Sequence, residues 1–166
     1  MSRVLNTASK RFFPASRLYF QAPRLQVTPF PVQLNKQKRN MSEIKKVFTE
    51  NACPPAGPYS QAIIAGPQIY VSGQIPADTK GNLIEGSIAD KTKQCCENIV
   101  GILAEAGVKT DRVVKVNVFL DDMAHFAEMN SVFEKYFAHK PARSCVAVKQ
   151  LPKGVPVEIE CIAWTG

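Results

Sequence analysis

Residues 114–138 read VKVNVFLDDMAHFAEMNSVFEKYFA, and two hydrophobic periodicities meet within this stretch. From Val114 to Leu120 the side chains alternate, which is typical of a strand with one buried face. Val114, Val116, Val118 and Leu120 are expected on the buried face, and Lys115, Asn117 and Phe119 on the other. After Asp121 and Asp122, either of which can cap a helix, apolar residues recur at helical spacing to about Ala138. The stretch therefore predicts a strand that is followed directly by a helix.

The same patterns extend outward on both sides of this stretch. Further strands are expected at Lys45–Thr49, Tyr59–Ala65, Gln68–Ser72, Arg143–Lys149 and Val157–Trp164, and a first long helix at about Ile88–Ala106. This order of elements predicts an α+β fold, in which a six-stranded, mostly antiparallel sheet carries two helices on one face. Oligomerisation is also favoured, because the second face of such a small sheet needs a cover.

The first 41 residues differ in composition from the rest of the chain. They contain eight basic residues and no Asp or Glu, whereas the whole chain has 21 basic and 14 acidic residues. The remainder, residues 42–166, therefore has 13 basic and 14 acidic residues and is nearly neutral. Apolar residues lie between the basic ones, as in Arg11-Phe12-Phe13, which is the pattern of a cationic amphipathic mitochondrial presequence.

We therefore expect a mitochondrial targeting presequence over residues 1–40 and a folded domain over residues 41–166. The expected partner of the presequence is the mitochondrial import machinery, and the expected destination is the matrix. A secretory signal is not expected, because the segment lacks an unbroken apolar run of about 7–15 residues. The alternative for this segment is a disordered basic arm that binds RNA. Met41 could also serve as a second start that gives a cytosolic form.

Several function classes lack support in the folded part of the chain. Its near-neutral charge gives no reason to expect a nucleic-acid partner. Pro and Gly break the uncharged stretch 51–77, so no membrane span is expected. The five cysteines lack Cys-x-x-Cys or Cys/His ligand spacing, which argues for free thiols and against a metal site. Because phosphate-loop and nucleophile motifs are absent and the only histidines are His125 and His139, neither a cofactor nor a catalytic triad is expected.

Four polar positions stand out because their surroundings are apolar or conformationally constrained. Tyr59 follows a proline-rich loop that holds its phenol at low entropic cost, and Ser72-Gly73-Gln74 ends a strand where glycine permits close approach of a ligand. Arg143 opens an apolar strand and can grip a carboxylate with two parallel hydrogen bonds. Glu158 lies on the predicted non-core face, where a carboxylate can orient water or shuttle protons. Taken singly, each position also has an ordinary structural explanation, such as a strand-to-turn signal or an exposed ion pair.

Taken together, the segments around these residues resemble the RidA (YjgF) family of reactive-intermediate deaminases. The matching segments are Ala56–Ala62, Val71–Pro76, Asn98–Gly107, Val114–Phe119, Phe126–Phe137, Pro141–Val146, Leu151–Lys153 and Val157–Glu160. Ser-Gly-Gln-Ile-Pro at 72–76 and Pro-Ala-Arg-Ser-Cys-Val at 141–146 are specific when they occur together. The resemblance covers about residues 44–164, and the basic segment before it makes the chain similar to a mitochondrial member.

The resemblance implies a chorismate-mutase-like fold and a homotrimer with a cleft at each subunit interface. It implies hydrolysis of 2-iminobutanoate and 2-iminopropanoate, which arise from pyridoxal-phosphate dehydratases, to the 2-oxo acid and ammonia, without a cofactor or metal. This activity protects pyridoxal-phosphate enzymes and supports isoleucine and other branched-chain amino-acid synthesis. By position, Arg143 matches the carboxylate-binding arginine of the family, and Cys145 matches a neighbour that makes main-chain contacts. The other implied cleft residues are Tyr59, Ser72, Gly73, Asn130 and Glu158.

In the implied mechanism, Arg143 holds the substrate carboxylate while water attacks the electrophilic C=N carbon. Glu158 positions the water and helps to move protons, and Tyr59 helps to close the site. Two other functions stay open. One is an endoribonuclease or translation inhibitor, an activity also attributed to some relatives, against which the near-neutral charge and the lack of a histidine pair argue. The other is a non-catalytic, chaperone-like trimer that binds small ligands in the same cleft.

Overall fold

Six strands and two helices make up residues 44–166, which are the residues that the computed structural model describes. The strands are β1 (Lys45–Val47), β2 (Ala62–Ala65), β3 (Gln68–Gln74), β4 (Val113–Leu120), β5 (Ala142–Ala147) and β6 (Val157–Trp164). The helices are α1 (Ile88–Glu105) and α2 (Phe126–Tyr136), and short 3₁₀ helices lie at Thr110–Arg112, Met123–His125 and Pro152–Gly154. The predicted presequence, residues 1–40, lies outside the described residues. In the described range, neither helix has both the length and the apolar character that crossing a membrane requires.

All six strands join one sheet in the order β1-β2-β3-β6-β4-β5. Neighbouring strands are antiparallel except β4 and β5, which are parallel because the chain returns through α2 before it forms β5. The last strand, β6, therefore lies inside the sheet and is hydrogen-bonded to both β3 and β4. The predicted α+β fold with a six-stranded, mostly antiparallel sheet is confirmed.

Both helices pack on one face of the sheet and bury its apolar side chains. The buried residues of this face include Val116, Val118 and Leu120 of β4 and Val157, Ile159, Cys161 and Ala163 of β6. Their partners in the core include Ile99, Ile102 and Leu103 of α1 and Met129 and Phe133 of α2. The opposite face, called the open face below, carries the exposed or half-buried side chains of Tyr70, Lys115, Asn117, Glu158, Glu160 and Ile162.

The prediction for Val114 is wrong, because a β-bulge interrupts the alternation of β4. Val113 is 2% exposed, whereas Val114 is 48% exposed. The pairing with β6 shifts between Val113, which lies opposite Ala163, and Lys115, which lies opposite Ile162. The extra residue of the bulge turns Val114 away from the helices, and Val113 takes the buried place instead.

Two predicted elements begin later than expected. Asp122 caps the 3₁₀ helix ahead of α2, because its side chain accepts a hydrogen bond from Ala124 N at 2.8 Å, and α2 itself begins only at Phe126. The strand predicted from Tyr59 begins at Ala62, since the preceding residues belong to a loop that folds back on itself. This loop carries Tyr59 to the site described next.

Candidate functional site

A pocket of about 540 Å³ is formed by the loop before β2, the end of β3 and the start of β6. Tyr59, Ser72, Gly73 and Glu158, four of the predicted site residues, line this pocket together. Pro58, Ile75 and Pro152 supply apolar wall, and Lys153 lies beside them. The group formed by Tyr59, Ser72, Gly73, Lys153 and Glu158 is called the Glu158 half-site below.

Gly73 makes room for the carboxylate of Glu158. A Cβ atom at position 73 would collide with Oε1 of Glu158 and would lie 2.8 Å from its Cδ. The pairing of β3 with β6 is irregular at this point, because the register shifts between Val71 and Gln74. The bulge and the missing side chain together let the carboxylate lie directly against the backbone of β3.

The carboxyl group of Glu158 holds its proton more tightly than an ordinary glutamate. Burial raises its pKa, and the neighbouring charge of Glu160 on the same face raises it further. Glu160 is itself held in place, since its Oε1 accepts a hydrogen bond from Asn117 Nδ2 at 2.8 Å. A half-buried carboxyl with a raised pKa is better suited to accept and return a proton than an ordinary exposed glutamate.

Tyr59 and Ser72 are both fixed by hydrogen bonds to the backbone around the pocket. The Tyr59 hydroxyl accepts from Ala56 N at 3.1 Å, while the ring stays 49% exposed beside Gly57. Ser72 Oγ donates to Ser60 O at 2.7 Å, so its lone pairs stay free to accept from a ligand. Both side chains are therefore oriented before a ligand arrives, which lowers the entropic cost of binding.

Arg143 lies at a second place, on the helix side of the edge strand β5. Its Nη1 donates to Asn130 Oδ1 of α2 at 2.8 Å, and its guanidinium lies 4.6 Å from the ring centroid of Phe133 and 5.5 Å from that of Phe126. Lys140 lines the pocket of about 380 Å³ beside it. The two rings contact the guanidinium, and its N–H groups other than the one bonded to Asn130 remain for a carboxylate. Asn130, Phe133, Lys140 and Arg143 are called the Arg143 half-site below.

Cys145 lies two residues after Arg143 and therefore on the same side of β5. Its side chain is half-buried, and burial raises the pKa of its thiol while the Arg143 charge offsets part of that rise. Cys96 and Cys161 lie in the core, where burial raises both pKa values to about 12, so these thiols are inert as nucleophiles. No group of three or more His, Cys, Asp or Glu side chains within residues 44–166 is placed to hold a metal ion.

Within one chain the two half-sites face opposite sides of the sheet. The parallel register of β4 and β5 pairs Arg143 with Val116, whose side chain is buried under the helices. Glu158 instead pairs with Phe119, whose side chain points the other way. The chain therefore brings Tyr59, Ser72, Gly73 and Glu158 together and, separately, Asn130, Arg143 and Cys145, but it does not join the two groups.

Two buried amide side chains, Gln61 and Asn98, hold the pocket loop in place and were missed from the sequence. Gln61 accepts from Thr49 N at 2.7 Å and donates to Thr49 O and Cys53 O at 3.0 Å. Asn98 of α1 accepts from Cys53 N at 3.3 Å and donates to Ala77 O at 3.0 Å. For Asn98 the available signal was an amide within the apolar stripe of a helix, which is costly unless the amide has partners, whereas Gln61 lies in the loop before β2 and has no such signal.

Comparison with known proteins places this fold and these motifs in a family. The sequence model described as endoribonuclease L-PSP matches residues 49–165. Protein MMF1, mitochondrial, of Saccharomyces cerevisiae is 49% identical over 127 residues, covering 76% of this chain and 88% of its own length. The 2-iminobutanoate/2-iminopropanoate deaminase of Salmonella typhimurium is 41% identical over 123 residues, covering 72% of this chain and 96% of its own.

The solved structures agree with the sequence comparison. The crystal structure of yeast Mmf1 matches with a TM-score of 0.73 and 49% identity, and the match covers 75% of this chain and 100% of that one. The resemblance inferred from the sequence is thereby confirmed. This chain belongs to the RidA/YjgF family, whose sequence model carries the description endoribonuclease L-PSP.

Proposed function

We propose that this protein hydrolyses short 2-imino acids, such as 2-iminobutanoate and 2-iminopropanoate, to the 2-oxo acid and ammonia. The observation that carries the proposal is the Glu158 carboxyl, whose pKa is raised and which lies against Gly73 beside the fixed side chains of Tyr59 and Ser72. The Salmonella relative that is named as this deaminase supports it. Such imines arise from pyridoxal-phosphate dehydratases, so their removal protects other pyridoxal-phosphate enzymes and supports isoleucine synthesis.

The complete site is proposed to form between two copies of the chain in a homotrimer. The Arg143 half-site and the Glu158 half-site lie on opposite faces of one sheet and are each open. The strand β5 has a free edge, and Val146 on it is 47% exposed. The open face also presents Tyr70, which is 43% exposed, and such uncovered apolar surface is typical of a subunit interface.

In the proposed reaction, Arg143 of one copy binds the carboxylate of the substrate and sets its orientation. Glu158 of another copy takes a proton from water as the oxygen bonds to the C=N carbon, and the carbon–nitrogen π electrons move to nitrogen. Glu158 then returns the proton to nitrogen, which gives a carbinolamine. In a second transfer Glu158 takes the proton of the new hydroxyl group and passes it to the nitrogen while the C=O bond forms and the C–N bond breaks, so ammonia leaves, the 2-oxo acid remains and Glu158 ends as it began. Tyr59 closes the pocket, and Ser72 accepts a hydrogen bond from the substrate nitrogen.

A coupled assay tests the activity directly. Threonine dehydratase with threonine supplies 2-iminobutanoate, and its loss is followed with and without this protein. We expect the wild type to accelerate hydrolysis and Arg143→Ala to lose about 2–5 kcal/mol of transition-state stabilisation, because the carboxylate loses its partner. Arg112→Ala, which removes an exposed guanidinium outside both half-sites, serves as the matched control.

Three outcomes would count against the proposal. Full activity of Arg143→Ala would contradict the role of that guanidinium. A wild type that leaves the imine untouched but cleaves RNA would favour an endoribonuclease, and one that only binds 2-oxobutanoate would favour a ligand-binding trimer. The placement of both histidines outside the two half-sites disfavours the endoribonuclease, since His125 Nδ1 contacts Asp121 and His139 Nε2 contacts Val113 O.

We also propose that residues 1–40 are a presequence that directs the protein to the mitochondrial matrix. The acid-free, arginine-rich composition supports this, as does the mitochondrial relative MMF1. Isolated mitochondria are expected to import the full chain, process it to a shorter, protease-protected form, and fail to do so when the membrane potential is dissipated. The chain that begins at Met41 is expected to stay outside, and its import at the full rate would contradict the proposal.

A further inference from the structure

Lys153 has a backbone conformation that lysine rarely adopts. Its φ is 54°, in the left-handed region, and Gly154 follows with a φ of 68°. Among residues 44–166 the only non-glycine residues with positive φ are Lys140 and Lys153, and each lines one of the two half-sites. Strained backbone that persists at a pocket is a reason to ask what the side chain does there.

The turn that carries Lys153 is anchored on both sides, which explains how the strain is maintained. Leu151 before it and Val155 after it are buried, and both pack against Cys53 and Ile75. Two left-handed residues between these anchors leave the Lys153 side chain exposed at the pocket. The ammonium charge also acts on the apolar cluster beneath the turn, since it opposes the rise that burial causes in the pKa of Cys53.

The charges around the pocket suggest a role for Lys153 in binding an anionic substrate. Glu158 lines the pocket, and Glu160 lies two residues further on the same face of β6. A 2-imino acid carries a carboxylate, so the charge of Glu158 in the pocket repels it, and the charge of Glu160 nearby on the same face adds to the repulsion. Among the residues that line the pocket, Lys153 is the only one with a positive charge.

Resting on the proposed function, we propose that Lys153 is a substrate-binding residue. Its ammonium group attracts the carboxylate of the entering 2-imino acid and offsets the repulsion by Glu158, before Arg143 of another copy takes the carboxylate. Lys153 exchanges no proton with the substrate. The residue therefore acts on KM and on the rate of capture, and leaves the chemical step to Glu158.

The test compares Lys153→Gln with the wild-type trimer in the coupled imine assay. We expect KM to rise about fivefold with kcat unchanged, which corresponds to the loss of one exposed charge pair. Added salt is expected to lower kcat/KM of the wild type more steeply than that of the variant, because the variant lacks one of the charges that salt screens. Lys153→Arg keeps the charge and should have the wild-type KM. Lys109→Gln, which removes an exposed charge ahead of the 3₁₀ helix Thr110–Arg112 and outside the pocket, should also have the wild-type KM.

Lys153→Gly separates the charge from the backbone strain. Glycine tolerates the left-handed turn, so this variant is expected to melt at a higher temperature than the wild type while showing the same raised KM as Lys153→Gln. A wild-type KM in either variant, or a loss confined to kcat, would overturn the role of Lys153.

Calorimetric binding of 2-oxobutanoate provides a readout that does not depend on turnover. Lys153→Gln is expected to bind this product about fivefold more weakly than the wild type. If the wild type binds the product but hydrolyses no imine, the proposed function fails while the weaker binding still supports Lys153. If the wild type is active and both proteins bind the product equally, only the inference about Lys153 fails.

Discussion

At the scale of single residues, the position of Glu158 depends on an absent side chain on the neighbouring strand. Its carboxylate occupies the space that a Cβ at position 73 would need. In the sequence, Ser72-Gly73-Gln74 is equally compatible with the simple end of a strand. The structure shows that β3 continues to Gln74 and that the glycine lies within it, at a bulge. The glycine therefore serves the site by steric means, which no local pattern distinguishes from a turn.

Gly73→Ala is predicted to displace the Glu158 carboxylate and to lower kcat for imine hydrolysis roughly 100-fold, the usual cost of misplacing a catalytic group by about 1 Å. The coupled assay measures kcat, and thermal melting checks that the sheet is intact. Gly57→Ala is the control at the same pocket, since a Cβ there meets only the Tyr59 ring at 3.6 Å. Equal kcat values for the two variants would refute the steric role of Gly73.

At the scale of elements, the sequence predicted what depends on local periodicity and missed what depends on pairing. Helix α1 and strand β6 follow directly from their spacing of apolar residues. The bulge at Val113–Val114 could not be foreseen, because it exists only in the register with β6. The face of Arg143 was also undetermined, since the strand after it is apolar on both sides and its orientation is set by the parallel pairing with β4.

For the candidate site, too, the sequence indicated the residues that a local pattern marks and missed those that depend on long-range contacts. Tyr59 and Glu158 were visible from the sequence, because a polar residue in a constrained loop or on a non-core strand face is unusual enough to notice. Gln61 and Asn98 were missed, because an amide beside apolar residues looks like a surface position until its backbone partners are known. Those partners lie far away in the chain and are brought close only by the fold.

Asn98→Ala is predicted to lower the free energy of unfolding by about 2 kcal/mol, because the N–H of Cys53 and the carbonyl of Ala77 lose their buried partner. Urea denaturation monitored by circular dichroism measures the change. Gln94→Ala is the matched control one turn earlier in α1, where the amide is only half-buried and contacts Asn98 rather than the backbone. A loss no larger in Asn98→Ala than in Gln94→Ala would contradict the clamping role.

At the scale of the whole molecule, one chain carries two half-sites that lie on opposite faces of its sheet. The Glu158 half-site has an acid–base group with no partner for a substrate carboxylate except the exposed Lys153. The Arg143 half-site has a guanidinium that suits a carboxylate, and the one carboxyl that lines its pocket, Glu134, is exposed on α2. One half-site has the acid–base carboxyl and the other has the guanidinium. A contact between two copies is therefore the arrangement that would place both groups against one substrate.

A mixing experiment tests this complementarity. Arg143→Ala and Glu158→Gln are each predicted to be nearly inactive alone, whereas subunits of the two variants refolded together in equal amounts should recover about one quarter of wild-type activity. The fraction is about one in four because random assembly places an intact Glu158 half-site against an intact Arg143 half-site at that frequency. Glu158→Gln refolded with Gly73→Ala is the control, since both changes damage the same half-site and no intact one can form. Two affinity tags verify that mixed assemblies have formed. If such assemblies stay inactive, the active site does not span two copies.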